Sequence, residues 1–396
     1  MPNSSGRCKV ELNLERIPSV SPSLAETLRI CPLQALLNRS QELRQFTLGS
    51  PKAWLGIVYH EVLEKLWSNE RPDLEGDKWI DHLWDTAVER VREGTANHPL
   101  DRRFSDHESW PGYHLTHAMV RIRAREALSR QPRSREVSSV STKAHAAQTP
   151  AREQTLYAMN EKLKGQPDVV SGSEIWDYKS GSVVEESPDG AEQIKEGYVR
   201  QLRLYGHLVH ENTGACPSKG KLLPMQGNPV EIDLTPESCK AEAEEAIGLL
   251  DALNTQIAQC ESIDQLASAS EDSCYWCNHK TYCESFWVNV AEGWWGDRNS
   301  AAVSGSLSEL PVEVHTGKSV TLKINVSAGN VTPGERVIGP FDKDIHAGVD
   351  SYSVDDLVRI VGCYRKQDGT LTTTPWTVCF RESDWPEICA KKPDPG

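Results

Sequence analysis

The 396-residue chain carries 57 acidic and 43 basic side chains, a formal net charge of −14, which excludes a general nucleic-acid coating protein but not an enzyme with a local basic groove. No apolar run reaches the roughly 18–20 residues of a membrane span, and Met1–Arg7 lacks the apolar core of a secretory signal, so a cytoplasmic protein is expected. The length has room for one large core plus a smaller domain, or for about two to three domains.

In chain order, Ser21 or Ser23 caps a first helix that has Pro22 in its opening turn and restarts at Cys31-Pro32. A second helix is predicted over 52–67, its apolar face formed by Leu55, Val58, Tyr59, Val62, Leu63 and Leu66. His60 and Glu64 are neighbours on that helix. Residues 77–130 read as largely helical, with Trp79, Trp84, Val88 and Val91 in one periodic stretch, and 131–150 as a polar loop. The stretch 121–165 holds ten Lys or Arg against four Asp or Glu, among them Arg121, Arg123, Arg125, Arg130, Arg133 and Arg135. It is either a solvated face or an edge that tracks phosphate.

From Glu153 the pattern turns to strands. Gly165-Gln166-Pro167-Asp168-Val169-Val170 and Ile175-Trp176-Asp177-Tyr178-Lys179-Ser180-Gly181 read as a tight hairpin turning at Ser171-Gly172-Ser173. Asp177 and Lys179 share a strand face, and folding back brings Asp168 within about one register step of Asp177. Val169, Val170, Ile175 and Trp176 mark the pair as buried, and charge on a buried hairpin needs a reason. Two carboxylates converging beside an amine suit Mg²⁺-dependent phosphodiester hydrolysis, in which the carboxylates hold a hard cation and the lysine steadies the nucleophile or the phosphate charge.

A polar loop at 182–192 precedes a helix from about 193 to 210 that carries Gln201 and Tyr205. Strands follow at Lys221–Leu223 and Val230–Ile232, then an Ala/Glu/Leu helix over 236–259. Beyond Trp295 the composition shifts to Val, Thr and Gly, with strands expected at Val312–Val314, Val320–Val326, Leu357–Val361 and Trp376–Phe380. A small β-barrel or sandwich is the natural architecture, with its boundary near residue 300.

Eleven cysteines in a chain expected to be cytoplasmic point to metal rather than disulfides. Seven stand alone and read as ordinary thiols, while Cys274, Cys277 and Cys283 cluster, with Cys31 the candidate for a fourth thiolate. Zinc and an iron–sulfur cluster both accept four thiolates, and spacing does not separate them; His279 could replace one ligand. Either group would clamp distant parts of the chain together.

These pieces, in this order, resemble the RecB-like branch of the PD-(D/E)xK nuclease superfamily, specifically the iron–sulfur members that include AddB-type subunits, CRISPR-associated adaptation exonucleases and exonuclease V. The resemblance spans roughly 18–290 and rests on Ser21–Pro32, Leu55–His60 with Leu63-Glu64, Gly165–Asp168, Asp177–Gly181, Gln201-x3-Tyr205 and the cysteine trio. It implies an α/β fold over 1–299, a restriction-endonuclease-like mixed central sheet flanked by helices; the β-rich 300–396 lies outside the family's minimal domain, and its strand spacing is compatible with a small, OB-like barrel. It further implies Mg²⁺ or Mn²⁺ held by His60, Asp168, Asp177 and the Tyr178 carbonyl, with Lys179 orienting the nucleophilic water. Gln201 and Tyr205 would position the strand near the scissile phosphate. Cys31, Cys274, Cys277 and Cys283 would hold a 4Fe–4S cluster.

The implied activity is a metal-dependent deoxyribonuclease, an exonuclease in preference, acting on single-stranded DNA or DNA ends in repair, CRISPR adaptation or antiviral defence. A catalytically idle nuclease-fold DNA- or protein-binding module is the alternative. No Gly-x4-Gly-Lys-Ser/Thr motif is present, so a full helicase–nuclease is not expected. The tail's few aromatics and slightly acidic balance leave single-strand binding and protein docking both open for the barrel.

Overall fold

The computed structural model describes residues 9–67, 76–129, 154–187 and 189–391. Strand β1 (Lys9–Asn13) leads to α1 (Pro22–Ile30), whose N-cap Ser21 accepts from the Leu24 amide, and the extended Cys31 breaks the helix before α2 (Pro32–Leu37). Helix α3 (Pro51–Trp67) buries all six residues of its expected apolar face against α4 (Asp77–Ala96) and α5 (Tyr113–Ser129).

A short hairpin, β2 (Leu156–Ala158) and β3 (Leu163–Gly165), precedes the site hairpin of β4 (Val169–Ser171) and β5 (Glu174–Lys179). Gly172, at φ +59°, takes the left-handed conformation that this two-residue turn needs. The stretch 182–192, expected as a loop, contains one further strand and the start of its partner, β6 (Val184–Glu186) and β7 (Glu192–Ile194), paired antiparallel. Only the paired Val184 and Ile194 are apolar and the other four residues are polar and exposed, so no apolar alternation announces them.

Helix α6 (Glu196–Thr213), ended by left-handed Gly214, lies next in the chain. Then come β8 (Lys219–Pro224), β9 (Val230–Asp233) and α7 (Pro236–Gln259), opened by the Thr235 capping box. The sheet order is β4-β5-β8-β9, with β5 and β8 parallel and the outer pairings antiparallel: a mixed sheet with α6 against it and α1 and α7 packed on α6. Helices α8 (Glu271–Tyr275) and α9 (Glu284–Asn289) carry the cysteine segment.

From Ser300 the chain is β-rich: β10 (Ser300–Leu307), β11 (Val312–Val314), β12 (Ser319–Gly329), β13 (Gly334–Asp342), β14 (Leu357–Arg365), β15 (Leu371–Thr372), β16 (Val378–Arg381) and β17 (Glu387–Lys391). Strands β10-β12-β13-β15-β14 run in sequence, and β14 pairs back on β10 to close a small five-stranded barrel. Val303, Leu322, Ile324, Ile338, Phe341 and Ile360 fill it. The last expected strand starts two residues late because Trp376 leaves the ladder to pack on Phe104, ring centroids 5.0 Å apart.

The barrel is fastened to the rest at several points. β1 pairs in parallel with β17, Arg359 makes a bidentate ion pair with Glu284 at 2.9 and 2.7 Å, and Arg103 donates to the carbonyls of Pro375 and Thr377. Buried Asn330 donates to the carbonyls of Trp294 and Ser300 and accepts from the Ala302 amide.

The described part of the basic stretch is not a free cationic edge. Arg121 is bidentate to Asp81, Arg125 pairs with Asp77, and Arg123 pairs with Glu126. Arg130, Arg133 and Arg135, with the expected loop at 131–150, lie outside the described residues.

Candidate active site

β5 lies between β4 and β8, and its alternate side chains face opposite sides. Asp177 and Lys179 turn toward α6, while Tyr178 turns toward Tyr59 of α3. Asp168, one residue before β4, lies across from them, its Oδ2 accepting the Tyr178 amide at 2.6 Å. The hairpin therefore brings the two carboxylates together as its register requires.

Asp177 is 2% exposed. Its Oδ2 lies 2.5 Å from Lys179 Nζ and, apart from that ion pair, has no hydrogen-bond partner. Burial holds its carboxyl well above the usual carboxylate range, Lys179 opposes this and Asp168 adds to it. Burial raises Asp168 as well, against the Tyr178 amide and Lys179. Two carboxyls pushed up together and one buried oxygen short of partners form a cradle short of positive charge.

The Lys179 ammonium donates to Gln201 Oε1 at 2.7 Å, and Gln201 Nε2 donates to the Tyr205 hydroxyl at 3.1 Å. Gln201 and Tyr205 are four apart on α6, which puts both on the helix face above β5. His60 Nδ1 stands 3.8 Å from Asp168 Oδ1, near but not bonded. Burial lowers the His60 pKa, which keeps the ring neutral and able to donate a lone pair. The Tyr178 backbone works the other way and raises it.

Two glycines permit these approaches. A Cβ on Gly56, one turn before His60, would lie 2.7 Å from Ser180 Oγ just after β5. A Cβ on Gly165 would lie 2.7 Å from Leu208 and 3.1 Å from Tyr205 on α6.

The donor set suits a hard divalent cation: two carboxylates and a neutral imidazole around an under-satisfied oxygen. Among the described residues no group of three or more His, Cys, Asp or Glu stands at metal-ligand spacing.

Cys31, at the α1–α2 break, lines one pocket with Cys274, Cys277 and Cys283. The Ser268 amide donates to Cys31 Sγ at 3.4 Å. Burial pushes the Cys277 thiol up to about 11 and the Cys283 thiol up to about 12. His279 is not available as a substitute ligand: its Nδ1 meets the Tyr282 hydroxyl at 2.5 Å and its Nε2 meets Asn38 Oδ1 at 2.7 Å. Cys216 and Cys239, which stand alone in sequence, lie near enough in the fold to perturb each other's thiols, and Cys216 Sγ donates to the Pro217 carbonyl at 3.5 Å.

The sequence reading missed Tyr198, whose ring centroid lies 4.6 Å from Lys179 Nζ. Its spacing to Gln201 and Tyr205, three and seven residues, is the helical signal that marks it.

Residues 19–284 match the PD-(D/E)XK nuclease superfamily, so the chain belongs to that superfamily. Pro167-Asp168 and Asp177-Tyr178-Lys179 spell its name in order. A crystal structure from Eubacterium rectale, provisionally described as an exonuclease, is similar over 64% of this chain and 90% of its own, at 12% identity and a TM-score of 0.36. No curated protein matches the chain. No described helix is long and apolar enough to cross a membrane.

Proposed function

We propose that this chain is a Mg²⁺- or Mn²⁺-dependent deoxyribonuclease of the RecB-like iron–sulfur branch, working as an exonuclease on single-stranded DNA or DNA ends. The observation that carries the reading is the convergence of Asp168, Asp177, Lys179, Gln201 and His60 around one under-satisfied buried carboxylate oxygen. An idle module has no use for buried carboxyls held above their normal range, a cost that structure alone does not require.

In this reading Asp168, Asp177, the Tyr178 carbonyl and His60 hold the cation. Bound there, it would supply Lewis-acid activation of water and neutralise charge on the phosphate. Lys179 orients the attacking water, with its ammonium fixed by Gln201, and Gln201 is fixed in turn by Tyr205. The same ammonium faces the negative charge that develops on the phosphate oxygens.

Cys31, Cys274, Cys277 and Cys283 are the proposed ligands of a 4Fe–4S cluster. Four thiols on one pocket, brought from opposite ends of the nuclease region, have the right donor chemistry. Metal binding would displace protons from thiols that burial keeps neutral and would tie the α1–α2 break to the α8–α9 segment.

The test is digestion of 5′- and 3′-labelled single strands, circles and duplexes with Mg²⁺ or Mn²⁺. Loss of cutting in Asp177→Ala and Lys179→Ala is expected; wild-type rates in either variant would refute the assignment. Absorbance near ~400 nm on anaerobically purified protein tests the cluster, and a colourless protein that contains zinc would replace it.

A further inference from the structure

Lys179 is fixed by more than the carboxylate and the amide. Tyr198 sits one turn before Gln201 on the same face of α6, and its ring centroid is 4.6 Å from Lys179 Nζ. The ring lines an open pocket with Pro22, Ser23, Glu26, Arg200 and Gln201, and Lys179 does not line that pocket. Tyr198 therefore stands between this pocket and the ammonium. Two other cations line this pocket: Arg200 is bidentate to Glu26 at 2.7 Å, and Lys195 Nζ lies 5.8 Å from the ring, farther than Lys179.

We propose that Tyr198 is a positioning residue for the nuclease reaction, holding the Lys179 ammonium by its ring face and shutting it off from the water of the adjoining pocket. This rests on the assignment of Lys179 to the reaction. An ammonium pinned only by Asp177 and Gln201 can swing toward open solvent. With an aromatic face on its third side it remains aimed at the carboxylate pair, where the attacking water must stand. The attraction is electrostatic, between the ammonium and the negative face of the ring, so it scales with the ring's quadrupole and not with its size alone.

The deciding experiment replaces Tyr198 in the full chain with phenylalanine and then with mono-, di- and trifluorinated phenylalanine, which withdraw charge from the ring face at nearly constant shape. Turnover of labelled single-stranded DNA with Mn²⁺ is expected to fall stepwise from the phenylalanine reference, by roughly 2- to 30-fold over the series, with KM unchanged. A flat series would overturn the inference, because a packing role does not follow fluorination. Lys195 Nζ lies 5.8 Å from the same ring, so the series is repeated in Lys195→Met. The same slope there assigns the effect to Lys179, and a lost slope overturns it. Should the wild type not cut DNA, the proposed function falls separately, and the contact is still read by NMR. The Lys179 Cε protons are expected to be shifted by the ring current in the wild type and to return to ordinary values in Tyr198→Leu; unshifted protons in the wild type overturn the inference.

Discussion

Asn330 at the barrel seam and Asp177 on β5 are both buried polar side chains, and they are opposites. Asn330 has its carbonyl and both amide hydrogens engaged, by Ala302, Trp294 and Ser300. Asp177 has an oxygen whose company is a single ammonium, and its carboxyl is pushed up by burial. A buried polar group that the protein satisfies by itself fastens structure. One left short of partners has been kept for something that arrives later.

Exchanging the two roles by mutation should separate activity from stability. Asp177→Asn is expected to lower cleavage by about 10³-fold, since it removes charge where the reaction needs it, while the urea midpoint does not fall. A parallel loss of stability would make Asp177 structural. Asn330→Leu should do the reverse. It strands two carbonyls and an amide and is expected to cost about 3 kcal/mol in urea unfolding, with the rate per folded molecule unchanged.

Cation linkage sharpens the contrast. Saturating Mg²⁺ at about 100 times its Kd should stabilise the wild type by about 2.7 kcal/mol, read as a raised thermal midpoint that EDTA reverses. The Asp168→Asn/Asp177→Asn double variant should show no such gain.

The smallest effect belongs to His346, buried against Phe341 near Arg103 and Asp342, whose pKa burial lowers to about 4. The unfolded chain binds this proton near pH 6.5 and the folded chain only near 4, so the contribution is complete above 6.5 and is lost as pH falls toward 4. His346→Gln should therefore recover roughly 1–2 kcal/mol of stability at pH 5 relative to pH 8, by urea melts at both values.

What the sequence displayed was whatever local rules write down. Helix α7 falls where Thr235, Pro236 and the Ala/Glu/Leu run put it, and the site hairpin follows from its turn and its alternation. The meeting of Asp168, Asp177 and Lys179 was legible because hairpin register is short-range, whereas Gln201 was marked by the resemblance alone. Barrel closure was not, since β10 finds β14 across more than fifty residues and β15 is two residues long. Tyr198 escaped notice because an aromatic on a helix face looks like core until a lysine from another element is seen beneath it. Arg121 and Arg125 could be read as a solvated face or as a phosphate edge because their carboxylate partners, Asp81 and Asp77, lie a helix away.

The parallel pairing of β1 with β17 has a consequence for how the chain reaches its native state. Val10 and Leu12 lie almost fully enclosed, yet their partner strand begins at Glu387. Closing that contact requires nearly the whole chain to be in place, so it belongs to the end of folding rather than the start. A cut at residue 299 would not release two independent modules. It would leave the first strand without its neighbour and the Cys274–Trp295 segment without the barrel residues Ala302, Val361 and Val378 that cover it. The half with the nuclease-superfamily fold thus receives its last piece of cover from the other end of the chain.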